Sequence, residues 1–247
     1  MTATPEMRGN WRVYHHPSVD STNLEALRLA RREALSWTAV RADTQTSGRG
    51  RLGRLWSDVP RRCLLLTALV DPPRGHEGLL GPAMGLAAAE ALEAAGVAEV
   101  AVKWPNDVLL AGRKVAGILA EGPAGGLIAV GIGINANGSP ADLPEELRER
   151  ATFASEQLGR ELDLDDLADA LLERFERHHY RLTAGDGGSV VEALRSRDCL
   201  AGHELRARMG DRVIEGRAAG WTDDGRLAII DSAGNRVVLD AGEVTLN

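Results

Sequence analysis

Two stretches of this 247-residue chain concentrate side chains suited to negatively charged acyl and phosphoryl groups. The first is Gly48-Arg49-Gly50-Arg51-Leu52-Gly53, followed by Arg54 and Trp56. Glycine permits positive φ and close backbone approach, and an arginine fork matches the oxygens of a carboxylate or phosphate. The second is Lys103-Trp104-Pro105-Asn106-Asp107, with Lys114 beyond it. A lysine at a strand end can neutralise a carboxylate or an α-phosphate as a point charge. Each stretch also has a plain reading. Arginines occur on solvated loops, Asn106 and Asp107 suit a Pro-containing turn, and Trp56 or Trp104 could stack on a purine or simply anchor a loop.

Several other chemistries are excluded by context. Gly48 to Gly53 fits the dinucleotide pattern G-x-G-x-x-G, but that fingerprint needs a helix directly after the loop. Here Arg54 to Pro60 follows, and then an apolar strand. No HRD, DFG or GxxxxGK[ST] string exists, so neither a kinase nor a P-loop is indicated. The adjacent pairs His15-His16 and His178-His179 do not face one another on a helix, and no Ser/His/Asp triad suggests itself. Cys63 and Cys199 are far apart and lack zinc-ligand spacing, which reads as two reduced thiols in a cytoplasmic protein.

Charge and length narrow the field further. Lys plus Arg number 29 against 36 Asp plus Glu, a net charge of −7. A nucleic-acid-binding domain usually carries a basic face, so direct DNA binding is not expected. The N-terminus lacks an apolar signal core, and no apolar run approaches a membrane span. The length suits one large domain, or one domain plus a small module.

The loops need elements to position them. Residues 1–18 read as irregular. Thr22 to Ala34 reads as a helix, with Thr22 and Glu25 at capping-box spacing and Leu24, Leu27 and Ala30 at helical intervals. Residues 38–42 and 63–70 suit strands. Leu79 to Ala95 is Ala-rich and suits a buried helix ended by Gly96. A strand through Lys103 precedes the turn at 104–107. Residues 108–110 and 114–121 form a hairpin around a three-residue loop, Ala111-Gly112-Arg113. Residues 127–135 form a strand whose glycines allow close approach, and 136–160 read as loop. Asp163 caps a helix to Leu182, and Ser189 with Glu192 caps another from Val190 to Arg197. Five short strands between 203 and 246, separated by Gly/Asp/Asn turns, predict a small all-β barrel.

Together VDSTN at 19–23, TQTSGRGRLGRLW at 44–56, KWPNDVLLAGRKVAGILAE at 103–121 and GIGIN at 131–135 resemble the biotin–protein ligase family, in its order and spacing. The resemblance implies an α+β fold: a class II aminoacyl-tRNA synthetase-like catalytic domain with a mixed sheet and helices (residues 1–197), then an SH3-like C-terminal domain (198–247). It implies biotin and ATP as substrates, Mg2+ carried by ATP rather than held by protein ligands, and a biotin carboxyl carrier domain as partner. A homodimer is compatible with it, and no membrane partner is implied. Ser21, Thr22, Asn23, Gln45, Arg49, Gly50, Arg51 and Lys114 resemble the biotin-binding set. Arg51, Arg54, Trp56, Lys103, Asn106 and Asn135 resemble the nucleotide-binding set. Arg49, Arg51, Lys114 and Asp107 resemble the catalytic set, with Asp107 near the acceptor lysine. Only 18 residues precede Val19, too few for the helix-turn-helix domain of some members, so a ligase without operator binding is expected. Two rivals remain open: a lipoate or octanoyl ligase or transferase of the same fold, and a non-catalytic biotin-sensing regulator.

Overall fold

The computed structural model describes residues 4–33, 35–210 and 212–246. An eight-stranded mixed sheet dominates the first 200 residues. Its strands are β1 (Glu6–Arg8), β2 (Trp11–His16), β3 (Thr38–Ala42), β4 (Cys63–Val70), β5 (Val100–Lys103), β6 (Asp107–Leu110), β7 (Arg113–Ala124) and β8 (Leu127–Asn135), in the order β1-β2-β3-β4-β8-β7-β6-β5. The β2–β3 pair is parallel and the other pairs are antiparallel.

The two sheet faces separate by residue parity. Leu64, Leu66, Ala68 and Val70 of β4, with Val130, Ile132 and Ile134 of β8, join the main core. That core includes α2 (Leu80–Ala94), α4 (Leu164–Thr183) and α5 (Gly187–Arg195). Leu69 and Ala129 face the other way, against Ala26, Leu27, Leu29 and Ala30 of α1 (Thr22–Glu33). Cys63 and Leu65 face that way too, and pack with Leu143, Ala151 and Phe153 at the far end. Between these two small clusters the second face is left uncovered.

The C-terminal strands are β9 (Glu204–Met209), β10 (Arg212–Trp221), β11 (Leu227–Asp231), β12 (Arg236–Leu239) and β13 (Glu243–Leu246). They form an antiparallel sheet in the order β12-β11-β10-β9-β13, and among the described residues the ladder does not close into a ring. This SH3-like unit shares the main core through Leu205, Ile214, Ala218 and Trp221. The linker seals the edge of β5: Val102 N–H donates to the Arg197 carbonyl at 2.8 Å, and Cys199 N–H to the Val102 carbonyl at 3.2 Å.

Four sequence-based expectations about elements and caps change. The leading segment is not irregular, because Trp11, Val13 and Tyr14 are buried and β2 pairs with β3; the alternation is too short to stand out alone. The first helix is described to Glu33, and Ala34 lies outside the described residues. Thr22 is not engaged in a capping box, because its hydroxyl is spent on Gln45 and Thr67. The β6–β7 loop has two residues, with Leu110 paired to Arg113 and positive φ at Ala111 (48°) and Gly112 (79°). The last helix is capped by Asp186, whose carboxylate accepts from Ser189 N–H, so it begins at Gly187. Residues 136–160 are loop apart from short 3-10 turns and α3 (Ala154–Leu158). The Asp163 cap matches the expectation, its carboxylate accepting from the N–H groups of Asp165 (2.7 Å) and Asp166 (3.1 Å).

Candidate active site

The uncovered sheet face is the floor of a cleft of ≈ 720 Å³. Two consecutive rows of the sheet carry glycines there. In one row Gly131 of β8 lies between Thr67 of β4 and Leu119 of β7; in the next Gly133 lies between Leu65 and Gly117. A Cβ on Gly131 would come within 1.8 Å of Asn23 Oδ1, and one on Gly133 within 2.4 Å of the Trp56 ring. The missing side chains are thus replaced by Asn23 in one row and Trp56 in the other. This explains the two glycines of GIGIN in terms of what must lie on them.

A bulge delivers Lys114 to the same face. The β6–β7 register shifts between Val108 and Leu109, and Val115 and Ala116 both pack into the core. Lys114 therefore shares the cleft face with Gly117, where a Cβ would meet the lysine Nζ at 2.9 Å. Its ammonium lies 2.6 Å from Asp107 Oδ1 and 5.8 Å from the centre of the Trp56 ring.

The glycine loop closes on itself above this floor. Gly50 N–H donates to the Arg54 carbonyl at 2.8 Å and Trp56 N–H to the Gly48 carbonyl at 3.0 Å. Leu52 (φ 55°) and Gly53 (φ 74°) make the tight tip, and no helix follows. Every arginine of the loop has a partner. Arg49 pairs with Glu121 at 3.0 Å, Arg51 donates to Asn106 Oδ1 at 3.0 Å and to the Gly242 carbonyl at 3.4 Å, and Arg54 pairs with Glu243. Burial lowers the pKa of the Arg51 guanidinium, and the carboxylates of Asp107 and Glu243 oppose that shift. At the base of the loop burial raises the Asp58 carboxyl, against the hydrogen bond it accepts from Thr44.

Ser21, Thr22 and Asn23 are buried at the start of α1 and line the cleft. Thr22 N–H donates to Gln45 Oε1 at 2.7 Å and the Thr22 hydroxyl lies 3.1 Å from the same oxygen. Asn106 donates to the Ile118 carbonyl at 3.1 Å, which ties the turn at 104–107 to β7. Trp104 is buried, and its indole N–H donates to the Gly225 carbonyl of the C-terminal domain at 3.2 Å. It is an interdomain anchor rather than a stacking platform.

Of the residues singled out from sequence, Ser21, Thr22, Asn23, Gln45, Arg49, Gly50, Arg51, Arg54, Trp56, Lys103, Asn106, Asp107 and Lys114 all line this cleft. Asn135 does not. It lies one row beyond Gly133, under the Phe153 cluster, and its amide donates to the Thr152 carbonyl at 3.2 Å. It holds the wall rather than forming it. Sequence reasoning missed that wall: Leu147, Glu149, Arg150 and Ala151 line the cleft, because Lys114 N–H donates to the Arg150 carbonyl and Lys114 bridges to Ala151. It also missed Gly242, Glu243, Val244 and Thr245 of the C-terminal domain. Both contributions come from distant segments with no motif of their own. The complete lining holds six cations (Arg49, Arg51, Arg54, Lys103, Lys114, Arg150) against three carboxylates (Asp107, Glu149, Glu243). A cleft with three surplus positive charges in a chain of net charge −7 is suited to a polyanionic ligand.

The chain resembles known proteins over most of its length. Residues 16–137 match the Biotin/lipoate A/B protein ligase family, and residues 202–246 match the Biotin protein ligase C terminal domain. The chain is 37% identical over 237 residues to the biotin--[acetyl-CoA-carboxylase] ligase of Paracoccus denitrificans, covering 91% of this chain and 96% of that one. It is 32% identical over 243 residues to the bifunctional ligase/repressor BirA of Bacillus subtilis, covering 96% of this chain and 74% of that one. Among solved structures, the biotin protein ligase of Aquifex aeolicus in complex with biotin and ATP superposes with a TM-score of 0.84 at 30% identity, covering 95% of this chain and 98% of that one. The chain belongs to the biotin protein ligase family.

Proposed function

We infer that this protein is an ATP-dependent biotin ligase that makes biotinyl-5′-AMP and transfers the biotinyl group to a lysine of a biotin carboxyl carrier domain. The observation that carries this reading is the cleft itself, with its glycine floor, surplus positive charge and arginine loop. In the first half-reaction a biotin carboxylate oxygen attacks the α-phosphorus of ATP and pyrophosphate leaves. These anions repel one another, so Arg49, Arg51 and Lys114 must turn from their carboxylate and carbonyl partners to the substrates. The same cations stabilise charge developing at the α-phosphorus. Mg2+ enters on the ATP phosphates. Ser21, Thr22, Asn23 and Gln45 hold biotin, while Arg54, Trp56, Lys103 and Asn106 serve the nucleotide side. Asn135 acts indirectly, through Thr152.

In the second half-reaction the acceptor amine attacks the acyl carbonyl and AMP leaves. The acceptor ammonium must first lose a proton. On this reading Asp107 accepts or orients it once Lys114 has moved to the substrate, a role that its contact with Lys114 supports. The glycine loop covers the adenylate and excludes water. On this reading residues 1–197 carry both half-reactions, and residues 198–247 complete the wall at 242–245.

The partner is a carrier domain and the compartment the cytoplasm, where both thiols stay reduced; the proposal includes no nucleic-acid partner. No described helix is long and apolar enough to cross a membrane. A thiol-dependent transferase lacks a nucleophile among the two cysteines, since burial pushes Cys63 up to about 12 and Cys199 up to about 11. Incubation with biotin, MgATP and a carrier domain should add one biotinyl group to the carrier by mass. Attachment of lipoate in preference to biotin would replace this reading, and absence of biotin-dependent pyrophosphate release would restore the sensing regulator.

A further inference from the structure

Thr67 of β4 is fully buried and does not line the cleft, yet it is bonded to two residues that do. Its Oγ1 lies 2.7 Å from Asn23 Oδ1 and 2.9 Å from Thr22 Oγ1. The row in which it sits brings these groups together. Thr67 and Leu119 flank Gly131 in register, and the Asn23 amide spans all three strands. It occupies the space over Gly131 and donates to the Leu119 carbonyl at 3.0 Å.

The direction of each bond follows from counting protons. Asn23 Nδ2 donates to the Leu119 carbonyl and, at 2.8 Å, to the Glu121 carboxylate. Its Oδ1 is therefore the acceptor facing Thr67, and the Thr67 hydroxyl is the donor. A hydroxyl has one proton, so Thr67 offers Thr22 a lone pair. The Thr22 hydroxyl then points its own proton at Thr67 Oγ1 or at Gln45 Oε1, which already accepts from the Thr22 N–H. Removing the Thr67 hydroxyl would leave Asn23 Oδ1 a buried acceptor without a donor and would leave the Thr22 hydroxyl with Gln45 Oε1 as its one remaining partner.

We propose that Thr67 is a positioning residue for biotin: it touches no substrate, but fixes which donors and acceptors Thr22 and Asn23 present in the cleft. The proposal rests on the assignment of Ser21 to Asn23 to the biotin end. Phosphate-side groups make no bond to Thr67, so the effect should be confined to one substrate.

The test measures biotin and ATP dependence of adenylate formation in Thr67→Val, which keeps the β-branched shape, and in Thr67→Ser, which keeps the hydroxyl. Loss of one buried bond that leaves its acceptor unpaired should raise the biotin KM of Thr67→Val by about tenfold. The KM for ATP and kcat should stay within about twofold, since no hydrogen bond toward the phosphates is removed. Thr67→Ser should restore the biotin KM. Equal rises in both KM values, a Ser variant as impaired as Val, or a Val variant like the unaltered protein would each overturn the proposal. Should Thr67→Val fail to fold, calorimetric titration of biotin alone into Thr67→Ser and Thr67→Ala decides the matter, because only the alanine variant should lose affinity. The unaltered protein run in parallel separates the two levels: if it forms no adenylate, the ligase reading has failed, not the role of Thr67 alone.

Discussion

The floor and the lid of the cleft are built on opposite principles. The floor is largely buried and, apart from Lys114 and Glu121 at its margins, built of neutral groups: two glycine rows of β7 and β8, with Asn23 and Trp56 laid into them and hydroxyl and amide bonds holding the pieces. The lid is exposed and charged. Arg54 is 70% exposed and Arg49 41%, and each is held by a carboxylate. A buried neutral network is costly to break because each lost partner leaves a desolvated group behind. An exposed ion pair is worth little and re-forms easily with another anion. On the proposed function the floor sets the shape that substrates must fit, and the lid exchanges its internal carboxylates for substrate oxygens.

The sharpest break of this contrast is Gly131→Ala. The added methyl would overlap the Asn23 amide, which can move aside only by giving up its bonds to Thr67, Leu119 and Glu121. Biotin-dependent pyrophosphate release should fall by at least about 100-fold, the consequence of overpacking a fixed site. Lys114→Gln should come next. It removes a cation aimed at developing charge, so adenylate formation in a single turnover should drop by about 100-fold. Biotin binding measured by calorimetry should change far less.

Asp107→Asn sharpens the division between half-reactions. Transfer to the carrier lysine should slow by about tenfold or more, and adenylate formation should change by only about threefold, as the Asp107–Lys114 pair is lost. Equal loss in both steps would mean that Asp107 acts only by holding Lys114. On the exposed side, Arg54→Ala and Glu243→Gln should each change the ATP KM by about twofold at most, an effect that added salt removes.

The smallest expected effect concerns the thiols. A raised thiol pKa means that the protonated form persists through neutral pH, and reactivity appears only as pH climbs toward the folded value. With Cys63 at about 12 and Cys199 at about 11, iodoacetamide at pH 8 should label neither appreciably in the folded protein. Unfolding in denaturant at the same pH should expose both. Rapid labelling of a native thiol that also stops carrier biotinylation would argue for a thiol intermediate.

Much of the molecule is legible in the chain's local patterns. The helices α1, α2 and α4 follow from apolar spacing, and Asp163 from its side-chain chemistry. The short strands of the tail follow from their turns, because each of these signals is local. The cleft residues are legible as a set for the same reason, since WPND, the arginine loop and GIGIN are contiguous strings. What lies between them is not. Alternation alone would separate Lys114 from Gly117, and the bulge that unites them depends on pairing with β6. Asn135 sits in a cleft-like string but one row too far along β8, and only the packing of Phe153 shows that this row is covered.

Which residues could carry charge, and where the backbone had to be bare, is written in the sequence. Local chemistry decides that: arginine forks, a lysine, and glycines where a side chain would intrude. Folding in three dimensions settled which glycine faces which side chain. It also brought residues 147–151 and 242–245 in to complete the wall, and let the Thr67 hydroxyl reach the cleft through Asn23. Those relations join residues far apart in the chain. They are set by strand register and by which sheet face remains uncovered, and neither is encoded in any single segment.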